Sequence, residues 1–346
     1  MSSQSPVKIG LIGTGIFASQ RHYPAIESQP DILKLTAVAN RSADKAQAFA
    51  KKTGVPENKI YSDLDSLLAD PEVDAIDALL PSQFTLDAVK KAVAAGKPIA
   101  IEKPIAARLD QAKQIVAIAK STDLPVAVLE NFLFWNSIAE IKAVLPKIGK
   151  LVYFSHYSTA PFNGDSIYLG TWWRQKPEHV GGFLSDGGVH QVALFTEVLG
   201  QVESLSALTT QVKEQSGDVD TLTSTLKLQN GAFGTFTYTS AVSYPRINKL
   251  TIHGEEGTII YDFADKQNTT ITLYNSENKQ GKVIPNVQVV NEAVPEEFAD
   301  FAHAVQNKDK SLLKATPEKA FHHFAVIVAA VESAQNGGTA VAVATP

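Results

Sequence analysis

The sequence predicts a two-domain α/β protein, in which a doubly wound parallel sheet precedes an α+β domain with a mostly antiparallel sheet. Three observations carry this prediction. The chain has 346 residues, which is enough for about two domains. Short apolar runs alternate with helical stretches as far as residue 129. From residue 150 onward, apolar and polar residues alternate at period two, as in antiparallel strands. The expected domains are 1–129 and 130–346.

The first domain is expected to contain five buried strands separated by helices. Each strand is a short apolar run rich in β-branched residues, and Gly96 marks a helix stop between two of them. The predicted strands are 7–12, 33–39, 75–80, 98–101 and 125–129. The first predicted helix begins near Ile16. The others cover 43–52, 85–95 and 109–120. This alternation is typical of a parallel sheet with helices on both faces.

The second domain is expected to form one antiparallel sheet with a few helices. Turn sequences such as Gln229-Asn230-Gly231 separate its alternating runs. The predicted strands are 150–158, 221–228, 232–239, 249–253, 258–261 and 269–274. The predicted helices are 188–199, 296–305 and 317–334.

Composition excludes several classes of protein. The chain contains no cysteine, which rules out thiolate metal sites, thiol nucleophiles and disulfides. The 31 basic and 36 acidic residues give a formal charge of −5, so we expect no nucleic-acid partner. The beginning of the chain does not read as a secretory signal, and no apolar run reaches the ~20 residues that cross a bilayer. We therefore expect a cytoplasmic protein with no membrane partner.

A glycine turn follows the first predicted strand and opens the first helix. Gly13 permits the tight turn, and Gly15 lets a diphosphate approach the backbone at the helix N-terminus. Ile16 and Phe17 complete the turn, and Phe17 is placed to shield a cofactor. Ala18 occupies the third position of the pattern, where alanine is allowed. This arrangement predicts a Rossmann dinucleotide-binding domain.

The residues after the second strand indicate which dinucleotide binds. NAD-binding domains usually carry Asp or Glu there to hold the ribose 2′-hydroxyl, but this chain has Asn40, Arg41 and Ser42. The Arg41 guanidinium can pair with a 2′-phosphate, and Ser42 can add a donor. The sequence therefore favours NADP. The alternative is that Arg41 is a solvated surface residue and Ser42 caps the next helix.

Glu102, Lys103 and Pro104 come directly after the fourth strand. Residues at the carboxyl end of a parallel strand face the ligand crevice, so Lys103 is expected beside the cofactor. The proline restricts the backbone of Lys103 and is compatible with a cis bond. We also count Pro81 and Glu102 among the candidate cofactor-binding residues.

A glycine-rich run in the second domain contains an aspartate and a histidine four residues apart. If the segment is helical, Asp186 and His190 lie on one face and can form a proton relay, in which the carboxylate orients the imidazole. The alternatives are a capping Asp and a packed His. A metal pair is also conceivable, but the pattern offers no third ligand, so we expect no metal.

Aromatic and polar residues before this run are candidate substrate contacts. Aromatic faces suit the apolar faces of sugar rings, although these side chains could equally pack in the interior. The candidates are Tyr168, Trp172, Trp173 and Arg174, together with Asn131, which either contacts substrate or connects the domains.

These motifs together resemble the Gfo/Idh/MocA family of oxidoreductases, named for glucose–fructose oxidoreductase and inositol dehydrogenase. The glycine turn, Glu102-Lys103-Pro104 and the run from Gly181 to His190 carry the resemblance. It extends over nearly the whole chain, and the stretches 40–42 and 173–179 look most like fungal NADP-dependent members. The resemblance implies that Lys103, Asp186 and His190 match the catalytic positions. It also implies a Rossmann domain followed by a C-terminal domain with a large, open sheet, which in the family commonly mediates homodimers or homotetramers.

Three residues depart from the family pattern near the substrate site. Thr85 stands where many members have a histidine, Phe183 replaces a third glycine, and Ala193 replaces a second acid. These departures leave the substrate open.

The predicted function is hydride transfer between NADP(H) and a carbonyl or hydroxyl of a small sugar-like or polyol substrate. His190 or Lys103 would supply the proton, Lys103 would stabilise negative charge on oxygen, and Asp186 would orient His190 and hold substrate hydroxyls. Two alternatives remain open. One is a dinucleotide-sensing regulator without catalysis, and the other is a dihydrodiol-type reductase of less polar substrates.

Overall fold

The computed structural model describes residues 5–265, 267–285 and 293–346, apart from the side chain of Trp172. Contacts divide the chain into two compact units. The first unit consists of Met1–Asn131, Val294–Phe321 and Pro346, and the second of Phe132–Ala293 and His322–Thr345.

The first unit contains a six-stranded, fully parallel sheet. Its strands are β1 Val7–Ile12, β2 Leu33–Ala39, β3 Ile60–Tyr61, β4 Ala75–Ala78, β5 Ile99–Glu102 and β6 Val126–Leu129. The order across the sheet is β3-β2-β1-β4-β5-β6. This is the doubly wound order, in which the direction of winding reverses between β1 and β4, so a ligand is expected outside the carboxyl ends of these strands. The predicted Rossmann fold is confirmed.

Helices of the first unit connect these strands. They are α1 Tyr23–Glu27, which continues a π-helical turn Ala18–His22, then α2 Ala43–Thr53, α3 Leu64–Leu68, α4 Thr85–Ala94 and α5 Leu109–Ser121. The sequence prediction omitted β3 and α3. A two-residue strand and a five-residue helix are too short to show a periodicity.

The second unit contains a nine-stranded sheet. Its strands are β7 Leu151–Pro161, β8 Val202–Thr210, β9 Thr221–Leu228, β10 Phe233–Val242, β11 Ile247–Gly254, β12 Gly257–Asp262, β13 Thr270–Asn275, β14 Lys282–Val283 and β15 Val341–Ala342. The order is β14-β13-β12-β11-β7-β10-β9-β8-β15. Every neighbouring pair is antiparallel except β7 and β10. The predicted large, mostly antiparallel sheet is confirmed.

One face of this sheet is buried and carries aromatic residues. Phe154 on β7 and Phe236 on β10 are fully buried. The centroid of each of these rings lies less than 6 Å from the ring centroid of Phe195. The helices of the second unit's first segment are α6 Asn136–Val144, α7 Trp172–Gln175 and α8 Val189–Leu199. Phe195 belongs to α8, so this helix contributes directly to the core of the second unit.

The remaining helices correct the predicted domain division. They are α9 Val294–Asn307 and α10 Pro317–Gln335. The sequence prediction placed all of 130–346 in one domain, but residues 294–321 belong to the first unit. Phe298 and Phe301 of α9 are fully buried in the same apolar cluster as Ile9 and Ala100 of the parallel sheet. The apolar face of a helix does not reveal which core it joins, and here the contact is made across the whole length of the chain.

Within the described residues, none of the helices combines the length and the apolar character that spanning a bilayer would require.

Candidate functional site

The glycine turn has the geometry that a dinucleotide diphosphate requires. Gly13 has φ of +98°, and a Cβ at this position would lie 2.2 Å from the carbonyl oxygen of Leu79, so only glycine fits. Gly15 is exposed, and a Cβ there would meet nothing within 4 Å. The helix that follows starts at Ile16 and Phe17, both of which are half-buried. The open backbone at Gly15 and the adjoining helix N-terminus therefore form a suitable anion cradle.

The end of β2 is tied to this turn. The side-chain amide of Asn40 donates to the hydroxyl of Thr14 at 2.6 Å, and its carbonyl oxygen accepts from the backbone N–H of Ser42. Ser42 stands at the N-cap of α2, but its side chain makes no capping hydrogen bond. Capping therefore does not account for this serine.

Arg41 is exposed, and its guanidinium carbon lies 5.9 Å from the centroid of the Phe84 ring. Phe84 belongs to the turn that begins after Pro81, at the carboxyl end of β4. A cavity of about 750 Å³ is lined by Asn40 and Arg41 together with Tyr61 and other residues of α2 and β3. Two of the three residues expected to recognise the adenosine end of the cofactor, Asn40 and Arg41, thus line one cavity.

The segment after β5 places the predicted lysine at the carboxyl edge of the same parallel sheet. Glu102 is the last residue of β5, Lys103 is half-buried, and the bond between Lys103 and Pro104 is cis. Thr85, the first of the three departures, is fully buried, and its hydroxyl donates towards the carbonyl oxygens of Ser82 and Ile105, each 2.8 Å away. This threonine therefore links the loop after β4 to the loop after β5.

A cluster of buried ionisable groups lies at this end of β4 and β5, and the sequence prediction missed it. The sequence motifs do not include His22, yet its ring lies between the carboxylates of Asp77 and Glu102. Glu297 and Glu130 are also almost fully buried in the first unit. The available signal was Asp77 itself, because a charged residue inside an otherwise apolar buried strand requires a partner.

In the second unit, the glycine-rich run folds as a π-helical turn followed by an α-helix. The turn covers Leu184–Gly188 and contains Asp186, and α8 carries His190 in its first turn. The sequence prediction assumed ordinary α-helical spacing between these two residues. Because Asp186 lies in a π-helical turn, that spacing does not apply here. A Cβ on Gly187 would lie 2.1 Å from the hydroxyl of Tyr238, which explains a glycine here.

Asp186 is paired with a predicted substrate residue. Nε of Arg174 donates to Oδ2 of Asp186 at 2.9 Å, and both side chains are only 17% exposed. The guanidinium carbon lies 3.9 Å from the centroid of Trp173 and 5.2 Å from that of Tyr168. The aromatic faces therefore hold the guanidinium while it engages the carboxylate. The side chain of Trp172 lies outside the described part of the structure.

A cavity of about 220 Å³ brings several of these predicted residues together. Its walls include Tyr168, Arg174 and Asp186, and they also include Phe162 and the departure residue Phe183. The ionic pair supplies a donor and an acceptor, and the rings supply flat apolar walls. This combination suits a small molecule that carries both hydroxyl groups and an apolar face.

The other predicted residues of this region lie nearby in the chain but not in this cavity lining. The ring of His190 stacks on Phe132 with 4.7 Å between centroids, and Phe132 in turn stacks on Trp135. Asn131 is half-buried and is the last residue of the first unit's long N-terminal segment. Ala193, the third departure, is fully buried within α8. In the described residues, no group of three or more His, Asp or Glu side chains is arranged to hold a metal ion.

Comparison with known proteins identifies the same two parts of the chain. Residues 7–130 match the oxidoreductase family with an NAD-binding Rossmann fold, GFO_IDH_MocA. Residues 142–343 match the C-terminal alpha/beta domain of the same oxidoreductase family.

Individual proteins are similar over different shares of the chain. The uncharacterized protein YMR315W of Saccharomyces cerevisiae is 47% identical, over 99% of this chain and 100% of its own. A dTDP-3,4-didehydro-2,6-dideoxy-alpha-D-glucose 3-reductase of Actinomadura kijaniata is 32% identical over 38% of each chain. The crystal structure of an oxidoreductase from Thermotoga maritima superposes with a TM-score of 0.86 at 30% identity, covering 98% of both chains.

Proposed function

This chain belongs to the Gfo/Idh/MocA family of oxidoreductases, and we propose that it transfers a hydride between NADP(H) and a carbonyl or hydroxyl carbon of a small sugar-like or polyol substrate. The observation that carries the cofactor assignment is Arg41, an exposed cation at the carboxyl end of β2 beside a cavity of about 750 Å³. An acidic residue in this place would hold a ribose 2′-hydroxyl, whereas a guanidinium pairs with a 2′-phosphate.

The residues of the first unit that would hold the cofactor fall into three groups. The backbone of Gly13, Gly15, Ile16 and Phe17 would take the diphosphate, because the N–H groups at a helix N-terminus attract anions. Asn40, Arg41 and Ser42 would take the adenosine ribose and its phosphate. Pro81, Glu102 and Lys103 border the carboxyl edge of the sheet where the ligand crevice is expected.

The chemistry requires one proton for each hydride. When bound, the reduced nicotinamide supplies the hydride, and the protein must place the carbon and deliver a proton to the oxygen. Lys103, as a cation, would stabilise the negative charge that develops on the substrate oxygen. His190 would donate the proton from its ring, with Lys103 as the other candidate donor. The carboxylate of Asp186 would orient the substrate by accepting hydrogen bonds from the substrate's hydroxyl groups.

The cavity of the second unit supports a substrate with hydroxyl groups. The carboxylate of Asp186 accepts from hydroxyls, the guanidinium of Arg174 donates to them, and the ring of Tyr168 offers an apolar face. A relative from Actinomadura kijaniata is named as a reductase of a dTDP-linked keto sugar, which agrees with this class. The arrangement favours a neutral polyol, because the ion pair already balances its own charge.

The test is consumption of NADPH in the presence of aldoses, ketoses, cyclitols and simple aldehydes. Turnover with a member of this panel is expected, and Lys103→Ala and His190→Ala should each lower it by roughly 10²-fold while NADPH still binds. Near-normal turnover in both variants would contradict the catalytic assignment. NADPH binding without turnover on any substrate would instead favour a dinucleotide-sensing regulator.

A second candidate substrate class has its own support. Phe162, Tyr168 and Phe183 give the cavity three aromatic walls, which also fit a flat and less polar substrate. A dihydrodiol-type reductase would use the same cofactor and the same proton chemistry. Including aromatic diols and aldehydes in the panel separates the two classes by their relative kcat/KM.

We further propose that the chain forms a homodimer or homotetramer through the open face of its nine-stranded sheet. Tyr157 pairs in register with Thr237, which pairs with Thr223, which pairs with Leu208, so the four share one face. Tyr157 and Leu208 are 43% and 60% exposed. Exposed apolar residues on a flat sheet face are typical of a surface that another copy covers.

A further inference from the structure

The buried histidine of the first unit holds two carboxylates at once. The side chain of His22 is fully buried. Its Nδ1 lies 2.9 and 3.1 Å from the two carboxylate oxygens of Asp77, and its Nε2 lies 2.8 Å from Oε1 of Glu102. A neutral imidazole has one donor nitrogen and one acceptor nitrogen, whereas an imidazolium donates from both. Because each nitrogen faces carboxylate oxygens, the contacts fit a doubly protonated ring.

The ring connects three elements that meet at the carboxyl edge of the parallel sheet. His22 ends the π-helical turn that follows the glycine turn. Asp77 lies on β4, and Glu102 is the last residue of the neighbouring strand β5. Lys103 comes next in the chain. The position of Glu102 is therefore fixed from the helix that begins at the diphosphate cradle.

The imidazole of His22 packs against two aromatic rings, and the first unit contains further buried carboxyl groups. Phe17 and Phe298 pack edgewise against the imidazole, with 5.2 and 5.0 Å between ring centroids. Glu297 on α9 and Glu130 after β6 add two further buried carboxyl groups to the first unit. Oε2 of Glu297 has no hydrogen-bond partner among the described residues. Two carboxylates held against one buried ring, with further buried carboxyl groups in the same unit, require a cation to balance them.

The charges of the cluster favour an imidazolium. Burial alone would lower the pKa of His22, but the charges and hydrogen bonds of Asp77 and Glu102 outweigh it and raise that pKa to about 10. Burial, together with the charge of Glu102, raises the pKa of Glu297 well above its ordinary value, while His22 opposes this rise. Burial also raises the pKa of Asp77, again against His22. Asp77 and Glu102 therefore contact His22 directly, Glu297 interacts with its charge, and Glu130 acts on Glu297.

We propose that His22 is a positioning residue for Lys103, holding Glu102 at the end of β5 through an imidazolium bridge to Asp77. This inference rests on the proposed function, because it takes Lys103 as the group that acts on the substrate oxygen. Without the bridge, the carboxylate of Glu102, whose side chain is only 15% exposed, loses its ring partner and the counter-charge on that side. The carboxylate must then move or pair with another cation, and either change displaces the residue that follows it.

Steady-state kinetics test the positioning role directly. His22→Gln removes one of the two donors and sets an amide oxygen against a carboxylate, so kcat should fall by about 10- to 100-fold while the Kd for NADPH stays within about 3-fold. The double variant His22→Gln, Glu102→Gln lets one amide donate to the next, and it should recover a substantial part of kcat. His322→Gln is the matched control, since His322 is a buried histidine of the second unit whose Nε2 accepts from the backbone N–H of Val202.

The protonation of the ring gives a second readout that does not depend on activity. Nitrogen NMR of wild-type protein with ¹⁵N-labelled histidine should show one ring still doubly protonated at about pH 8.5, where free histidine is neutral. Its signal should shift in Glu102→Gln. Eight neutral rings at that pH would overturn the proposal, and this result stands even where His22→Gln fails to fold.

The two proposals fail in distinguishable ways. Normal turnover in Lys103→Ala would contradict the proposed function. It would also contradict the positioning role of His22, which depends on Lys103. A large loss of kcat in Lys103→Ala, together with unchanged kcat in His22→Gln, would overturn only the positioning role. Equal losses of kcat and stability in His22→Gln and His322→Gln, without rescue by Glu102→Gln, would also overturn it.

Discussion

Arg174 donates from Nε to Oδ2 of Asp186 at 2.9 Å, so a predicted substrate residue and a predicted catalytic residue share one ion pair in the wall of one cavity. The pair has a consequence for the reaction. Asp186 cannot be treated as an isolated carboxylate that serves only an imidazole. Its orientation depends on a guanidinium held against the ring of Trp173.

Removal of this guanidinium should weaken substrate binding more than cofactor binding. In Arg174→Ala, the KM for the carbonyl substrate should rise about 10- to 100-fold, because a charge-assisted donor is lost. The Kd for NADPH should remain unchanged. Arg108→Ala is the matched control, because Arg108 forms an exposed pair with Asp110 in the first unit. A KM equal to that of the control would exclude Arg174 from the substrate site.

Substitution by alanine should affect stability at only one of the two glycines of the turn, Gly13 and Gly15. Gly13→Ala places a Cβ against the carbonyl of Leu79 at a positive φ, so the free energy of unfolding should fall by more than about 2 kcal/mol. Gly15→Ala enters open space and should change stability by less than about 1 kcal/mol.

Only the second variant then isolates cofactor binding. Gly15→Ala should weaken NADPH binding, because the added methyl group occupies the place where the diphosphate approaches the backbone. Denaturant unfolding and fluorescence titration measure the two effects separately. Unaltered NADPH affinity in Gly15→Ala would mean that the diphosphate binds elsewhere.

Acid should destabilise the protein through a second buried histidine. Burial lowers the pKa of His156 to about 4, although a hydrogen bond with Gln191 opposes the shift. The unfolded ring takes up a proton near its ordinary pKa of 6.5, above the pH at which the folded ring does. The unfolded state therefore binds more protons between these values, and stability is lost as the pH falls from about 6.5 towards 4.

Replacing the ring should flatten this acid limb. His156→Phe should reduce the slope of unfolding free energy against pH by up to about 1.4 kcal/mol per pH unit, measured by urea unfolding. Phe236→Leu alters the same aromatic cluster without a titrating group, so it should lower stability equally at each pH. Parallel curves for the wild type and His156→Phe would show that His156 titrates alike in both states.

A charged residue introduced on the open face of the nine-stranded sheet tests the proposed assembly. Phe233, which is 57% exposed, pairs in register with Tyr153 on the open face of the nine-stranded sheet. A glutamate there would be buried without a partner in an assembly, so Phe233→Glu should shift sedimentation towards the monomer. Leu312→Glu alters an exposed leucine of the first unit and should leave the mass unchanged. Wild-type protein that sediments as a monomer would contradict the proposed assembly.

Local patterns were sufficient to predict the fold and the cofactor turn. The strand Val7–Ile12, the tight turn at Gly13 and the helix that follows are close in sequence, and each carries its own signal. The end of β2 is equally local, so the position of Arg41 just after this strand could be predicted from the sequence, while its role in cofactor binding stays a prediction. The structure adds the bond between Asn40 and Thr14, which joins these two segments.

Contacts between distant residues could not be predicted in the same way. His22 lies 55 positions from Asp77 and 80 from Glu102, and no periodicity relates them. Phe298 shows only that α9 has an apolar face, and the fold decides that this face packs in the first unit. Asp186 lies in a π-helical turn, where the usual three- to four-residue spacing no longer applies. Each of these differences comes from tertiary contacts that override or extend the local pattern.

The preference for a phosphorylated dinucleotide is the central claim, and calorimetric titration of purified protein with NADPH and NADH tests it most directly. Wild-type protein should bind NADPH at least about 10-fold more tightly than NADH, because Arg41 is proposed to pair with the 2′-phosphate. Arg41→Ala should lose this preference, whereas Lys45→Ala, which removes an exposed cation of α2, should keep it. Equal affinity of the wild type for both dinucleotides, or no heat with either one, would contradict the account.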